Sequence, residues 1–244
     1  VVFDDLRAPR PRLVFRNGAL MARDGRMAVP PRPPSRTLRS TINIAWDGLS
    51  FSIPAAGARA RVIGLRPDRL VTDALVDEPL RRGGEALADP SRDLLKIAVV
   101  ERHMASGAVG KGFVRGMGLR AGALASSVAH DHHNLIVIGA DDASMLTAAR
   151  RVGALHGGMV VARGDQVLAE VALPLGGLMS AEPVEAVKAQ VEAAVAAARA
   201  LGSPLHDPFM TLSFLALEVI PSLKITDRGL VDADRLALVP LWIE

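Results

Sequence analysis

The sequence contains no cysteine and no tyrosine, and aromatic residues make up only 3% of its 244 positions. The absence of cysteine excludes disulfide bonds, zinc–thiolate sites and a thiol nucleophile within this chain, and it fits a reducing compartment. Few aromatic side chains leave little surface on which nucleic-acid bases could stack. The sequence has no apolar run long enough for a transmembrane helix. Half of the residues are nevertheless hydrophobic, so the chain can bury a large core.

Positive charge is concentrated at the start of the chain. Residues 1–40 contain nine arginines and three aspartates, whereas the remainder of the chain carries a small negative charge. A basic arm is compatible with phosphate binding. Because aromatic side chains are so scarce, we interpret this arm as a solvated, arginine-rich linker, and we expect neither a nucleic-acid partner nor a membrane partner.

The first part of the chain is predicted to form short strands. Residues 1–29 contain three apolar runs, and the Asn17-Gly18 pair between the last two is a strong signal for a hairpin turn. Strands this short need a partner sheet to be stable. The run PPRPP that follows is a stiff, extended linker, which predicts domains at 1–34 and 35–244.

Residues 35–244 combine strand and helix patterns. Alternating and continuous apolar runs predict strands at 41–44, 51–53, 59–65, 70–73, 94–100 and 236–243. One helix is expected after a cap at Asp141, and another between a cap at Ser180 and a stop at Gly202. A hairpin around Gly164 lies between them. The predicted fold class is therefore α+β, with mixed sheets flanked by helices.

A polar cluster interrupts the apolar pattern just before a buried run at 135–139. It contains His130, His132 and His133, beside a carboxylate and an amide. Imidazole is the side chain most often used for metal ligation and for proton transfer near neutral pH. The cluster is therefore either a functional site or a hydrogen-bonded strand end.

The residues alone leave three interpretations of this cluster open. A complete binuclear metal site needs about four to six convergent ligands, but in an extended strand only His130 and His132 would share a face. The remaining histidines lie far away in the sequence. A purely structural cluster is the second interpretation. The third is a contribution to a site that another part of the protein mainly supplies.

Five segments carry a family resemblance. They are VVERH at 99–103, GKGFVRGMG at 110–118, ALASSVAHDHHN at 123–134, GGLMS at 176–180 and LSFLALEVIPSLKITDRG at 212–229. In this order and spacing they resemble the C-terminal region of bacterial adenine deaminases, which belong to the amidohydrolase superfamily. The opening residues resemble the strands that complete the small β-sandwich of that family. One departure is His132, where the family run HDSHN has serine.

The resemblance implies hydrolytic deamination of adenine to hypoxanthine and ammonia, as in purine salvage and adenine catabolism. It also implies a binuclear manganese or iron centre in a barrel that precedes this chain, where a metal-activated water attacks the purine. We therefore expect the chain to be a piece of a longer polypeptide and to bind no metal itself. The expected partners are adenine, the N-terminal barrel of the same protein and further copies in a cytoplasmic homo-oligomer.

If this chain contributes to the adenine site, the resemblance gives candidate residues for contact with the substrate or for support of the metal ligands. They are Glu101, His103, Ser127, His130, Asp131, His133 and Asn134. On its own, Glu101-Arg102 is equally compatible with a salt-bridged strand end.

Two alternatives stay open. One is a non-catalytic oligomerisation domain that uses the apolar segment 209–220 and the alanine-rich second helix. The other is a free-standing metal hydrolase, similar to HD phosphohydrolases, in which His130-Asp131 binds metal.

Overall fold

A computed structural model describes residues 1–30, 39–67 and 69–243. The chain divides into two compact units, Val1–Thr37 and Leu38–Glu244. All but the first residue of the predicted linker at 30–34 lies outside the described residues, so the domain boundaries remain a prediction. Within the described ranges no helix is long and apolar enough to cross a membrane.

The first unit contains a four-stranded antiparallel sheet in the order β1-β2-β3-β4. Its strands are β1 (Val2–Phe3), β2 (Pro11–Arg16), β3 (Ala19–Arg23) and β4 (Arg26–Met27). The predicted turn forms at Asn17-Gly18, where both residues have a positive φ. The fourth strand was not predicted as a strand, although the Asp24-Gly25 turn before it is of the same kind. Within residues 1–30 no side chain is fully buried, so this sheet has no core of its own.

The second unit holds the remaining strands and all three α-helices of the described residues. The first group of strands is β5 (Ile53–Pro54), β6 (Arg59–Leu65), β7 (Thr72–Asp77), β8 (Leu80–Arg82), β9 (Glu85–Leu87), β10 (Leu94–Val100), β11 (Val109–Arg115), β12 (Ala123–Ser126) and β13 (Leu135–Gly139). The later elements are α1 (Asp142–Ala154), β14 (Gly158–Arg163), β15 (Gln166–Ala172), α2 (Val184–Ala200), α3 (Pro208–Phe214), β16 (Leu223–Thr226), β17 (Gly229–Asp232), β18 (Ala237–Val239) and β19 (Trp242–Ile243). This architecture confirms the predicted α+β class.

A nine-stranded sheet forms the centre of the second unit. Its path is β15-β14-β12-β13-β10-β11-β6-β19, and β7 also pairs with β6. Successive residues of a strand face opposite sides of a sheet, and β13 shows the consequence. Ile136 and Ile138 pack in the cluster that includes α2 and α3, whereas Leu135 and Val137 pack in the cluster that includes α1. Helices therefore cover both faces of the central strands, and two small three-stranded sheets complete the unit.

The ends of the two longer helices differ in how well the sequence predicted them. Asp141 caps α1, since its carboxylate accepts a hydrogen bond from the Ser144 N–H at 2.8 Å. The prediction that Ser180 caps α2 is wrong. The Ser180 hydroxyl accepts instead from the Glu182 N–H at 3.2 Å, and Pro183 occupies the cap position without a side-chain hydrogen bond.

Several predicted strands are wrong or shifted. Residues 41–44 form no strand, because their backbone bonds to the loop after β10, with Asn43 N donating to Arg102 O at 2.7 Å. Only the end of 51–53 is strand, and 70–73 is displaced to Thr72–Asp77. The final run is two short strands in different sheets, β18 and β19. In residues 41–44 the apolar alternation reflects packing rather than a strand ladder.

Candidate functional site

The polar cluster lies in the turn 127–134, which joins the antiparallel neighbours β12 and β13. The chain must reverse there, and His133 takes a left-handed backbone conformation with its N–H bonded to Ala129 O at 2.6 Å. The assumption that the histidines stand on an extended strand is therefore wrong. The turn is also the point where residues from four distant segments meet.

Arg102 is the centre of this meeting point, and its side chain is almost completely buried. Its Nε donates to the His133 carbonyl, its Nη1 to the carbonyl and hydroxyl of Thr41 at 3.1 and 3.0 Å, and its Nη2 to Gly176 O at 3.2 Å. All these acceptors are neutral, and burial lowers the pKa of Arg102. Among the described residues Arg102 makes no ion pair, so the salt-bridged strand end with Glu101 is wrong.

Glu101 instead organises the loop that follows β10. Its carboxylate accepts from the backbone N–H groups of His103, Met104 and Ser106 and from the Ser106 hydroxyl. Burial raises the pKa of Glu101, but these donors together outweigh burial and hold the pKa below its usual value. A carboxylate with four donors is a structural anchor rather than an available proton acceptor.

His103 and Asn134 extend the network to other elements. The ring Nε2 of His103 lies 2.8 Å from the His132 carbonyl. The amide of Asn134 accepts from Arg102 N at 3.2 Å and donates to Asp227 Oδ1 at 3.1 Å. The turn is thereby joined both to the loop after β10 and to the β16–β17 hairpin.

Ser127 lies on the interior side of the turn. Its hydroxyl donates to Gly177 O at 2.6 Å and accepts from Gly158 N at 2.8 Å. Gly177 in turn lies against the Arg102 guanidinium, where an added Cβ would be 2.8 Å from Nη1. Ser127 therefore positions the glycine pair that contacts Arg102.

His130 and Asp131 lie at the outer side of the turn. The His130 ring stacks on Phe214 with a centroid distance of 4.8 Å and meets the His133 ring edge-on at 5.6 Å. The side chain of Asp131 is 83% exposed, and its Oδ1 lies 3.6 Å from His130 Nδ1. These three side chains present a carboxylate and two imidazoles together.

Several buried polar atoms around the turn lack a hydrogen-bond partner among the described residues. They include His133 Nδ1, Ser213 Oγ and Glu218 Oε2. Burial is the main reason why the pKa values of His132 and His133 are lowered, so both rings are neutral near neutral pH. Unpaired buried polar groups cost roughly 1–3 kcal/mol each, so native proteins usually provide partners for them.

The structure thus groups the candidates by role. The side chains of His130, Asp131 and His133 share one side of the turn. Those of Glu101, Ser127 and Asn134 form hydrogen bonds within the chain, and His103 contacts the turn through the His132 carbonyl. Sequence reasoning missed that Arg102 lies at the centre of the hydrogen-bond network. It also missed the contacts that Phe214, Gly177 and Asp227 make with residues of this network. All four stand inside the family-like segments, which was the only signal for them. Within the described ranges no three His, Asp or Glu side chains converge as a metal site.

Comparison with known proteins identifies the class to which this fold and cluster belong. The family model described as adenine deaminase C-terminal domain matches residues 69–237. The chain belongs to this family. The matched range contains the turn 127–134, Arg102 and the β16–β17 hairpin.

Individual relatives agree with that assignment. The chain is 49% identical over 230 residues to an adenine deaminase of Desulfatibacillum aliphaticivorans. This alignment covers 94% of this chain and 40% of the relative. It is 46% identical over 235 residues to an adenine deaminase of Methanothrix thermoacetophila, covering 96% of this chain and 41% of the relative. An adenine deaminase of Desulforamulus reducens is 40% identical across the whole chain. The chain therefore spans about two-fifths of the length of these relatives.

Proposed function

We propose that this chain is the C-terminal part of an adenine deaminase, which hydrolyses adenine to hypoxanthine and ammonia. Family membership and the relatives' names support the activity. The share of their length that the chain covers supports a division of labour with an N-terminal barrel. The described residues do not fit a binuclear manganese or iron centre, and the proposal places its ligands in that barrel.

The observation that carries a role for this chain is the unpaired buried Nδ1 of His133, whose ring lies 5.6 Å from the His130 ring, beside the exposed carboxylate of Asp131. Neutral imidazoles can donate or accept one hydrogen bond at each available ring nitrogen, and a purine offers both kinds of partner. In this proposal His130, Asp131 and His133 contact or enclose adenine. Glu101, Ser127 and Asn134 act as positioning residues, because their polar atoms already bond within the chain, and His103 does the same through the His132 carbonyl.

The test uses the intact enzyme and two measurements: metal content per subunit and turnover of adenine. His130→Ala and Asp131→Ala should each lower turnover or weaken adenine binding while metal content stays normal, as expected for residues that do not ligate the metal. His132→Ser is the matched control. A serine hydroxyl at this position can still accept the Asn134 N–H that His132 Nδ1 accepts at 3.1 Å, so turnover should be nearly unchanged.

Three results would count against this role. Unchanged kinetics with a lower melting temperature in both alanine variants would make the turn purely structural. Loss of metal would make these residues ligands. A large loss of turnover in His132→Ser would show that any change in the turn is damaging.

The proposal also predicts that the 244-residue chain alone releases no ammonia from adenine when manganese or iron is added. Turnover at the rate of the full-length enzyme would contradict it. The alternative of a free-standing hydrolase around His130-Asp131 needs further ligands, and none converge with this pair in the part of the chain that the structure describes. A cytoplasmic homo-oligomer completes the proposal, and light scattering of the purified enzyme tests its oligomeric state.

A further inference from the structure

A cavity of about 180 Å³ lies beside α3, outside the turn that carries the candidate residues. Leu65, Leu70, Leu205 and Leu215 supply apolar walls, and Lys224 lines it as well. An apolar cavity of roughly 150 Å³ accommodates a benzene-sized molecule. The space is therefore suited to a small ligand.

Lys224 is the unusual member of this lining. Its side chain is completely buried, and its ammonium donates to Leu70 O at 2.8 Å and to Phe214 O at 3.0 Å. An ammonium has three N–H donors, so one donor is left after these two neutral acceptors. Burial lowers the pKa of Lys224 to about 8, and the group is still mainly protonated near neutral pH.

The other fully buried lysine shows what Lys224 lacks. Lys96 is equally buried, but its ammonium contacts the Asp142 carboxylate at 2.7 Å. Buried charges are normally paired, because an uncompensated charge away from water is costly. Among the described residues no carboxylate takes this position at Lys224.

We propose that this cavity binds a small organic monoanion, a carboxylate with a compact apolar or aromatic body, whose oxygen accepts a hydrogen bond from Lys224. The apolar walls hold the body of the ligand, and the ammonium gains a counter-charge that no described residue provides. Arg69 adds a second positive charge at the exposed mouth. Asp207 opposes it there, but its carboxylate accepts from Met210 N at 2.9 Å.

Phe214 connects this cavity to the turn 127–134. Its carbonyl accepts from Lys224, the residue lines the cavity, and its ring stacks on His130. A ligand against Lys224 should therefore shift the magnetic environment of His130. The ligand site itself does not depend on the proposed deaminase function.

The test is calorimetric titration of the full chain with benzoate and with its neutral isostere benzamide. Benzoate should bind with a dissociation constant of about 1 mM or tighter, and benzamide about tenfold more weakly. Lys224→Met should weaken benzoate binding by about tenfold or more. Lys188→Met, which removes an exposed lysine of α2 that pairs with Glu192, should leave it unchanged.

Met210→Trp keeps the test decisive if Lys224→Met fails to fold. Met210 is half exposed at the cavity lining, so a bulky side chain there should obstruct the cavity and weaken benzoate binding. Equal binding of benzoate and benzamide, unchanged affinity in a folded Lys224→Met protein, or no saturable benzoate binding by the unmodified chain each overturns the proposal. Movement of the His130 ring signals on benzoate addition, absent in Met210→Trp, supports it, and these signals must be told apart from those of His206, which lines the cavity itself.

Discussion

The side-chain amide of Asn134 donates to Asp227 Oδ1 at 3.1 Å, which joins two segments that are 93 residues apart. The same amide accepts the backbone N–H of Arg102 through its oxygen. Because Asn134 is buried, each end of the amide has one specific partner. This single side chain therefore fixes the turn 127–134 against both the loop after β10 and the β16–β17 hairpin.

Exchange of the two partners tests this link. Asn134→Asp should lower the free energy of unfolding by about 2–3 kcal/mol, because it removes the donor and places a carboxylate beside Asp227. The double variant Asn134→Asp/Asp227→Asn restores a donor and an acceptor and should recover a large part of the loss. Urea unfolding of the two single variants and the double variant measures the coupling. Additive losses would show that the two side chains do not interact.

Substitution of Arg102 should be strongly destabilising even when the charge is kept. Arg102→Lys should lower the free energy of unfolding by about 2–4 kcal/mol, because one ammonium cannot reach the acceptors on His133, Thr41 and Gly176 together. Arg82→Lys on the exposed strand β8 is the matched control and should change the free energy of unfolding little. Comparable urea midpoints for the two variants would contradict the central position of Arg102.

The glycine pair beside Arg102 offers a sharper comparison. Gly176 and Gly177 both have positive φ values, so alanine at either position costs about 1–2 kcal/mol in backbone strain. At Gly176 a Cβ meets nothing within 4 Å, whereas at Gly177 it lies 2.8 Å from Arg102 Nη1. The guanidinium is held by several hydrogen bonds and cannot move away cheaply. Gly177→Ala should therefore be the more destabilising by about 1–3 kcal/mol.

Thermal unfolding of the two alanine variants side by side measures this difference. Equal melting temperatures would mean that backbone strain alone decides and that the contact with Arg102 is unimportant.

Glu101 should make stability depend on pH on the acid side. Its pKa in the folded chain is lowered, so it stabilises the fold fully above the unfolded value of 4.5, and this contribution is lost as pH falls through the folded pKa. Glu101→Gln should lower the free energy of unfolding by about 1–3 kcal/mol near neutral pH. The deficit relative to the unmodified chain should shrink as the pH falls.

Urea unfolding across the acid range checks this. Glu182 is exposed, so Glu182→Gln is the control and should change neither the free energy of unfolding near neutral pH nor its pH dependence. A deficit that is the same at every pH would show that the carboxylate charge is not what holds the loop.

The elements that the sequence determined by itself are those specified by local chemistry. The apolar run of β10, the Asp141 cap of α1 and the turn at Gly164 each appear as predicted. A buried strand, an oxygen that accepts a helix N–H, and a left-handed turn glycine need only neighbouring residues. The polar run at 130–134 was also visible, because an imidazole-rich run before a core strand is unusual, whereas Glu101, His103 and Ser127 became candidates only through the family resemblance.

Only the tertiary structure decided what these residues do. Next to Glu101 in the sequence, Arg102 suggests an ion pair, yet its partners are neutral groups of Thr41, His133 and Gly176. Those partners lie in separate segments, and nothing in local pattern says that a sheet and two loops will bring them together. The same is true of Lys224, whose burial depends on how β16 packs against α3. Long-range packing sets the burial and the partners of a charge, and these determine its role.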